Sequence, residues 1–302
     1  MSDDDLPAAA LIPLEGGWSG ETFLAEAAGE RSVVRLYSGS RGPLAPAIDA
    51  AVLALARGLL PVPDVLEVRH GDAAAGRPGL LVTEYVDGER GDLMLATLDD
   101  AGLAALGALV GDAAAALAGV AMLRPGAFGD AQLTVVPHAA PYDADGLPEI
   151  VDRAAPRLTR LDADELAGLS EVALHAQELL DTVERTSLVH GDLNPKNVLI
   201  RRTDTGLELA AVLDWEFAHA GHPYTDLGNL LRFERAAPYV DAVLDAYAAR
   251  HEVEHSDALA LARAADLVAL VDLATRPEAN PVTARATDLL RRIARTRDLG
   301  SP

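Results

Sequence analysis

Apolar positions follow two different rhythms along this chain. Between residues 20 and 86 they come in short runs broken by glycine, proline and charge, and beyond residue 99 they recur at three and four residues. The runs 22–28 and 32–37, separated by Gly29-Glu30-Arg31, predict a β-hairpin. Ile48, Val52, Leu55 and Leu59 form one stripe, which predicts a helix over 45–59 that Pro61-Val62-Pro63 stops. An extended pair, 65–69 and 79–86, closes a small antiparallel sheet and runs out into Thr83-Glu84-Tyr85-Val86-Asp87-Gly88, a hinge segment. Residues 1–10 read as an acidic lead-in without structure of its own.

The second rhythm predicts helices. Leu103, Leu106, Leu109 and Val110 lead an alanine-rich segment from Asp99 to about Leu123, followed by a proline- and aspartate-rich connection over 124–148. Leu166, Leu169, Val172, Ala176, Leu179 and Val183 predict an amphipathic helix over about 161–185 that delivers the chain to His190. Thr225-Asp226 ahead of Leu227 reads as a capped helix start, and further helices are expected near 237–250, 256–275 and 280–297. The second of these, 256–275, is strongly apolar and predicted to be buried. The last carries Arg285, Arg291, Arg292, Arg295 and Arg297, read as a solvated basic face. The layout is α+β, with a sheet lobe over residues 1–86 and a mainly helical lobe over 87–302.

One stretch does not behave as core. Leu188-Val189 and Val198-Leu199-Ile200 bracket the polar loop His190-Gly191-Asp192-Leu193-Asn194-Pro195-Lys196-Asn197, and Asp214 follows the apolar run 209–213. Taken singly, Asp192 and Asn197 pass for turn residues and Asp214 for a strand-end cap. Together, an acid, an amide five residues on and a second acid, all on loops between strands, match the spacing of a kinase catalytic loop and its metal-binding aspartate. Asp192 then orients the acceptor hydroxyl and takes its proton, while Asn197 and Asp214 present oxygen to Mg²⁺. His190 is expected to hold the loop through backbone hydrogen bonds. Upstream, Gly17, Ser19 and Gly20 suit a loop whose amides approach phosphates, although a plain glycine turn has the same composition. Arg35 lies where a kinase strand carries its phosphate-contacting lysine. It shares a face with Val33 and Tyr37, and alternation alone leaves open whether that face is a cleft or an exposed edge. Backbone groups around Glu84 and Val86 sit where a kinase hinge meets the nucleotide base.

Charge narrows the partners. The 302 residues carry a net charge of −22, which argues against nucleic acid or an anionic membrane surface and suits a cationic ligand. There is no cysteine, which excludes disulfides and thiolate metal sites and leaves hard oxygen ligands, hence magnesium rather than zinc. Met1-Ser2-Asp3-Asp4-Asp5 precedes no apolar signal region, and no uninterrupted apolar run reaches a membrane span of roughly 20 residues, so a cytoplasmic location is expected.

His190-Gly191-Asp192-x4-Asn197, then Leu213-Asp214-Trp215-Glu216, then Asp226-Leu227 resembles the aminoglycoside phosphotransferase/choline kinase-like family. Gly16-Gly17-Trp18-Ser19-Gly20-Glu21-Thr22 and the hinge at Gly88 extend the likeness over most of the chain. The resemblance implies a protein-kinase-like bilobal fold, an ATP or GTP donor with Mg²⁺, and a small-molecule hydroxyl acceptor. It makes Asp192 the catalytic aspartate, Asn197 and Asp214 the metal ligands, and Asp226 a residue that pins the catalytic loop. Two departures stand out. Arg35 replaces the usual lysine, and Ile48 lies near the expected position of its acidic partner with Asp49 beside it, which points to an Arg35–Asp49 pair. Glu216, two residues from Asp214 in an acid-dense half that also holds Glu234, Asp241 and Asp245, is the candidate for lining the acceptor site. The expected function is a kinase of the antibiotic-resistance type acting on a cationic acceptor. The alternatives are a metabolic kinase for an amino alcohol, amino acid or sugar, and a nucleotide-binding pseudokinase that regulates a partner.

Overall fold

The computed structural model describes residues 10–14, 21–27, 29–37, 41–72, 74–139, 146–277 and 281–300. The first lobe is built from β1 (Ala10–Pro13), β2 (Glu21–Ala27), β3 (Glu30–Tyr37), α1 (Ala45–Ala56), β4 (Val65–Arg69) and β5 (Gly79–Glu84). Its strands form one antiparallel sheet in the order β1-β2-β3-β5-β4. The helix α1 buries Val52, Leu53 and Ala56, and packs on β4 and β5. Residues 85–88 lead from β5 into β6 (Glu89–Arg90), α2 (Gly91–Leu95) and α3 (Asp100–Ala118). Then follow β7 (Ala121–Met122), β8 (Gly126–Phe128), β9 (Val135–Val136), α4 (Leu147–Ala154) and α5 (Ala163–Leu180). The central strands are β10 (Thr186–Val189), β11 (Val198–Thr203), β12 (Gly206–Val212) and β13 (His219–Gly221). The chain closes with α6 (Thr225–Leu231), α7 (Ala237–His251), α8 (His255–Thr275) and α9 (Pro281–Thr296). This is the α+β architecture expected, an antiparallel-sheet lobe followed by a mainly helical one.

Two small sheets set the floor of the second lobe. One orders β12-β11-β6 and the other β7-β10-β13-β8-β9, all antiparallel. Because β6 pairs with β11 through Leu199↔Arg90 and Ile200↔Glu89, the segment leaving the first lobe is hydrogen-bonded directly to the strand that follows the polar loop. One buried cluster runs from Tyr37, Val52, Leu53 and Leu81 through Met94, Leu106, Leu188, Leu193, Ile200 and Trp215 to Leu227 and Tyr247. A second joins α4, α5, α8 and α9 through residues such as Leu169, Leu267, Leu290 and Ile293.

The helix α3 is apolar enough by length and composition to cross a membrane, yet its apolar residues pack into the core, above all against α7. Gly107 and Gly111 make that approach possible. A Cβ at Gly107 would lie 2.5 Å from the Tyr239 carbonyl oxygen, and one at Gly111 would lie 2.6 Å from that of Val243. Asp99 caps the helix by accepting from the Gly102 amide at 2.9 Å.

Several sequence expectations shift in detail. The stripe over 161–185 becomes α5, opened by a capping box between Asp162 and Glu165, and its last residues form turns. The predicted cap at Thr225-Asp226 is absent, because the Asp226 carboxylate serves a different backbone segment, described below. The connection after α3 hides β7, β8, β9 and the start of α4, which are too short to leave a period. The basic face of α9 is not simply solvated. Arg295 Nη2 and Arg291 Nε lie 2.7 and 3.3 Å from Oε1 of the buried Glu165 on α5. Arg285 stacks over Phe233 and Arg297 pairs with Glu171. A buried acid at the start of α5 attracts the neighbouring helix's cations, a contact no single-helix pattern contains.

Alanine is favoured over glycine by about 1 kcal/mol in an open helix. At Gly111 the sign reverses: Gly111→Ala lowers the unfolding free energy by about 1–3 kcal/mol, because the methyl overpacks the α3–α7 contact. Chemical denaturation measures this, and a raised midpoint would mean that the two helices do not touch there.

Candidate active site

The polar loop is held in place from below. Asp226, buried at the start of α6, accepts from the His190 amide at 2.8 Å and the Gly191 amide at 3.0 Å, one bond to each carboxylate oxygen. Burial pushes its carboxyl above the usual range, while His190 and the two amides favour the charged form. Gly191 turns with φ +83°, and a Cβ there would lie 2.5 Å from the Phe217 carbonyl oxygen, so only glycine fits between His190 and Asp192.

His190 is structural, as expected. Its Nδ1 accepts from the Asp192 amide at 3.2 Å and its Nε2 meets the Leu213 carbonyl at 2.9 Å, which assigns the ring proton to Nε2. The ring lies 4.5 Å from that of Trp215, whose indole donates to the Val212 carbonyl at 2.9 Å. The Leu213 amide in turn donates to the Asn197 carbonyl at 2.8 Å. Through these bonds the loop after β12 and the loop after β10 form one rigid unit.

The Asp192 carboxylate sits between two amides. Asn197 Nδ2 donates to Oδ2 at 2.8 Å and Asn194 Nδ2 to Oδ1 at 2.8 Å, and both also reach the Asp192 carbonyl. With its NH₂ committed to Asp192, Asn197 has its amide oxygen left for a cation. Asp214 is the other candidate ligand and adopts a left-handed backbone, φ +61° and ψ +58°, a conformation aspartate tolerates better than most residues. Its Oδ1 lies 2.7 Å from Arg35 Nη1. A magnesium ion fits this donor set, one carboxylate and one amide oxygen, with phosphate oxygens and water completing its shell. Among the described residues no cluster of three or more His, Cys, Asp or Glu side chains stands in ligating range.

Above this floor lies a cleft of about 410 Å³ between the lobes. Val33, Leu81 and Thr83 line it from the sheet and Leu199 and Leu213 from the second lobe, with Glu84 and Val86 at the hinge. Arg35 and Tyr37 line it too, so the face shared by Val33, Arg35 and Tyr37 is the cleft face that alternation left undecided. Gly17, Ser19 and Gly20 lie outside the described residues.

Two expectations are corrected. Asp49 does not pair with Arg35. Its carboxylate accepts from Tyr37 Oη at 2.7 Å and from both Arg41 Nη atoms at 2.7 Å. Nor does Glu216 face an open acceptor site. Its side chain is buried, with Oε2 2.8 Å from Arg35 Nη2 and 3.9 Å from Arg41 Nη1. Burial raises the Glu216 carboxyl, opposed by Arg35 and reinforced by Asp214. A buried, ion-paired carboxylate has little charge to offer an incoming cation.

Sequence reasoning passed over three residues of the site. Asn194 repeats the asparagine chemistry of Asn197 within the same loop. Lys196 lines the cleft and is the only lysine in the chain, a signal visible in the composition. Arg232 at the end of α6 forms a buried pair with Asp266. Burial lifts the Asp266 carboxyl to about 6 against the pull of Arg232, and the charge of Asp192 adds to the rise, so this pair lies within electrostatic reach of the loop.

A cleft between a sheet lobe and a helical lobe, lined by an asparagine hydrogen-bonded to an amide-flanked aspartate and by a second aspartate beside an arginine, defines a protein-kinase-like phosphotransferase. The family model described as "APH: Phosphotransferase enzyme family" matches residues 10–295, and the chain belongs to that family. It is a phosphotransferase with an alcohol group as acceptor. No curated protein matches it in sequence. Among solved structures, wild-type aminoglycoside 2'-phosphotransferase-IIIa in complex with GDP superposes with a TM-score of 0.68 at 16% identity, covering 98% of this chain and 95% of that one. A thermostable mutant of aminoglycoside phosphotransferase APH(4)-Ia with ADP and hygromycin B gives 0.64 at 20% identity, covering 97% and 95%. A microcompartment-associated aminopropanol kinase gives 0.65 at 19% identity, also covering 97% and 95%.

Asp226→Asn turns one of two buried acceptors into a donor facing a backbone N–H. The loss is about 1–3 kcal/mol of stability, and amide exchange at His190 and Gly191 accelerates ahead of the global rate. Unchanged protection at both amides would show that Asp226 does not hold the loop.

Proposed function

We propose that the protein transfers the γ-phosphate of ATP or GTP, in the presence of Mg²⁺, to a hydroxyl of a cationic small molecule such as an aminoglycoside-type antibiotic. The observation that carries this reading is the Asp192 carboxylate, fixed between Asn194 and Asn197, the second of which lines the interlobe cleft together with Asp214. Asp192 orients the acceptor hydroxyl and takes its proton as the acceptor oxygen bonds to the γ-phosphorus, while the bond from that phosphorus to the bridging oxygen breaks and releases the nucleoside diphosphate. Arg35 grips phosphate oxygens from the sheet lobe, a task suited to a planar guanidinium. Gly17, Ser19 and Gly20 would give backbone amides to the same phosphates, and the backbone of Glu84 and Val86 would meet the base. Asn197 and Asp214 would hold magnesium, which neutralises charge on the phosphate chain when bound.

For the acceptor, the net charge of −22 favours a cation. The similar structures that contain hygromycin B or kanamycin point the same way. The aminopropanol kinase among them supports a second reading, a metabolic kinase for a small amino alcohol. Both readings require a charged amine beside the reacting hydroxyl, and both leave the cation to be met by acids other than Glu216.

A coupled nucleotide-turnover screen over aminoglycosides, amino alcohols and neutral sugars tests the reading. With the best acceptor, Asp192→Asn loses about 10²–10⁴-fold in kcat while nucleotide affinity stays near the parent value. Near-parental kcat would remove Asp192 as the base. A second expectation concerns salt. For a cationic acceptor kcat/KM falls as ionic strength rises, since exposed charges are screened over about 8–10 Å at physiological salt. A neutral best acceptor, or a flat salt profile, would sink the cationic reading. A third expectation is that Asp214→Asn weakens nucleotide binding with Mg²⁺ more than without it, measured by calorimetry, whereas equal losses would give Asp214 a structural role only.

A further inference from the structure

The end of α6, the start of α7 and the first half of α8 enclose a second cavity, of about 200 Å³, whose lining shares no residue with the interlobe cleft. Leu231 and Leu259 give it an apolar wall, Arg235 and Arg263 bring two guanidinium groups, and Glu234 and Asp241 bring two carboxylates. Acidic residues outnumber lysine and arginine 47 to 25 in this chain. Arg31, Arg57 and Arg250 each find a carboxylate at the surface. Yet among the described residues neither Arg235 nor Arg263 stands within ion-pair distance of one. Arg263 is half-buried and Arg235 exposed, so the pair is reachable from solvent. Arg235 is fixed at one end: Nη1 donates to the Leu231 carbonyl at 2.6 Å and to the Glu234 carbonyl at 2.9 Å. Its Nε and Nη2 have no protein partner among the described residues. Desolvation lowers the Arg235 guanidinium below its usual range, Arg263 and Arg292 lower it further, and Glu234 and Asp266 oppose them more weakly. Arg263 is lowered by desolvation against the pull of Asp298. Two guanidinium groups that repel each other across a cavity cost the fold energy, and an anionic group between them relieves it.

We infer that this cavity binds a small zwitterion of the amino-acid type, its carboxylate held by Arg235 and Arg263 and its ammonium by Glu234 and Asp241. A guanidinium fork matches a carboxylate through two parallel hydrogen bonds. A doubly charged phosphate would meet Glu234 and Asp241 on the same wall, and an amine alone would meet the two arginines. A carboxylate and an ammonium on one small frame satisfy both pairs. The volume agrees, since it equals the space of about seven water molecules at ~30 Å³ each, enough for an amino acid with a short side chain. The inference goes beyond phosphate transfer and does not rest on it. The cavity is nonetheless close to the candidate base. The Asp266 carboxyl, three residues beyond Arg263 on α8, is shifted by both Arg235 and Asp192.

The test is calorimetric titration of the full chain at low salt with L-serine and L-homoserine. The controls are ethanolamine, which lacks the carboxylate, and lactate, which lacks the ammonium. Both amino acids bind at least about tenfold more tightly than either control. Arg263→Gln removes the advantage over ethanolamine, and Glu234→Gln removes the advantage over lactate, a crossed pattern that general loss of structure does not produce. If Arg263→Gln does not fold, the parent's preference over both controls and the Glu234→Gln result decide. Turnover with nucleotide and Mg²⁺ then separates two sources of the zwitterion. Phosphate appearing on its hydroxyl makes it the acceptor, and binding without transfer makes it a second ligand; either result keeps the site. No binding of either amino acid, or equal affinity for amino acids and controls, overturns the inference. So does an Arg263→Gln protein that folds and keeps the full preference. A chain that phosphorylates a cationic acceptor and binds neither amino acid overturns the inference alone and leaves the kinase reading intact.

Discussion

A single buried carboxylate determines where the rest of the site can be. Asp226 accepts the amides of His190 and Gly191 and so fixes the turn on which Asp192 stands. Two amides that would otherwise be orphaned in the interior are satisfied, and the cost of burying the charge is offset by them. From that turn the order spreads upward through His190 to the Leu213 carbonyl, through Trp215 to the Val212 carbonyl, and through Asn197 to the Leu213 amide. The candidate base and the two candidate metal ligands are therefore placed by one connected set of backbone hydrogen bonds, not by three separate loops.

Above the floor, charge is arranged in pairs that share little. Asp49, Tyr37 and Arg41 form one unit on the α1 side of the cleft. Arg35, Asp214 and Glu216 form another on the side of the second lobe. Arg35 is carried by β3 of the sheet lobe and its two acids by the loop after β12, so this ion pair also ties the lobes across the cleft. Arg35 and Asp214 both line that cleft of about 410 Å³, so the tie lies inside it and not on the surface.

The acceptor side follows a different logic. Family membership defines the reaction as phosphate transfer to an alcohol, and nothing in that chemistry selects the alcohol. Structures of similar fold contain hygromycin B, kanamycin or GDP, or are described as an aminopropanol kinase, at identities of 16–20%. One fold hosts different acceptors, so the alcohol is chosen by particular side chains and not by the architecture.

Much of this was legible in the chain itself, and the boundary has a physical cause. Local rules sufficed for the β2–β3 hairpin, for α5 and for singling out His190, Asp192, Asn197 and Asp214 as one polar group between strands, because turns, helical stripes and short polar loops depend on residues close in sequence. Short strands such as β7 and β9 left no trace, since two residues carry no period. Partners far apart in sequence were out of reach. Arg35 meets acids 179 and 181 positions away and not the one on the next helix. The arginines of α9 meet Glu165 across a helix interface. The sequence alone determined which chemical groups the site would hold and in what order; tertiary structure decided which charge each one neutralises, because an ion pair is chosen by distance in space and by burial, and neither is written in local spacing.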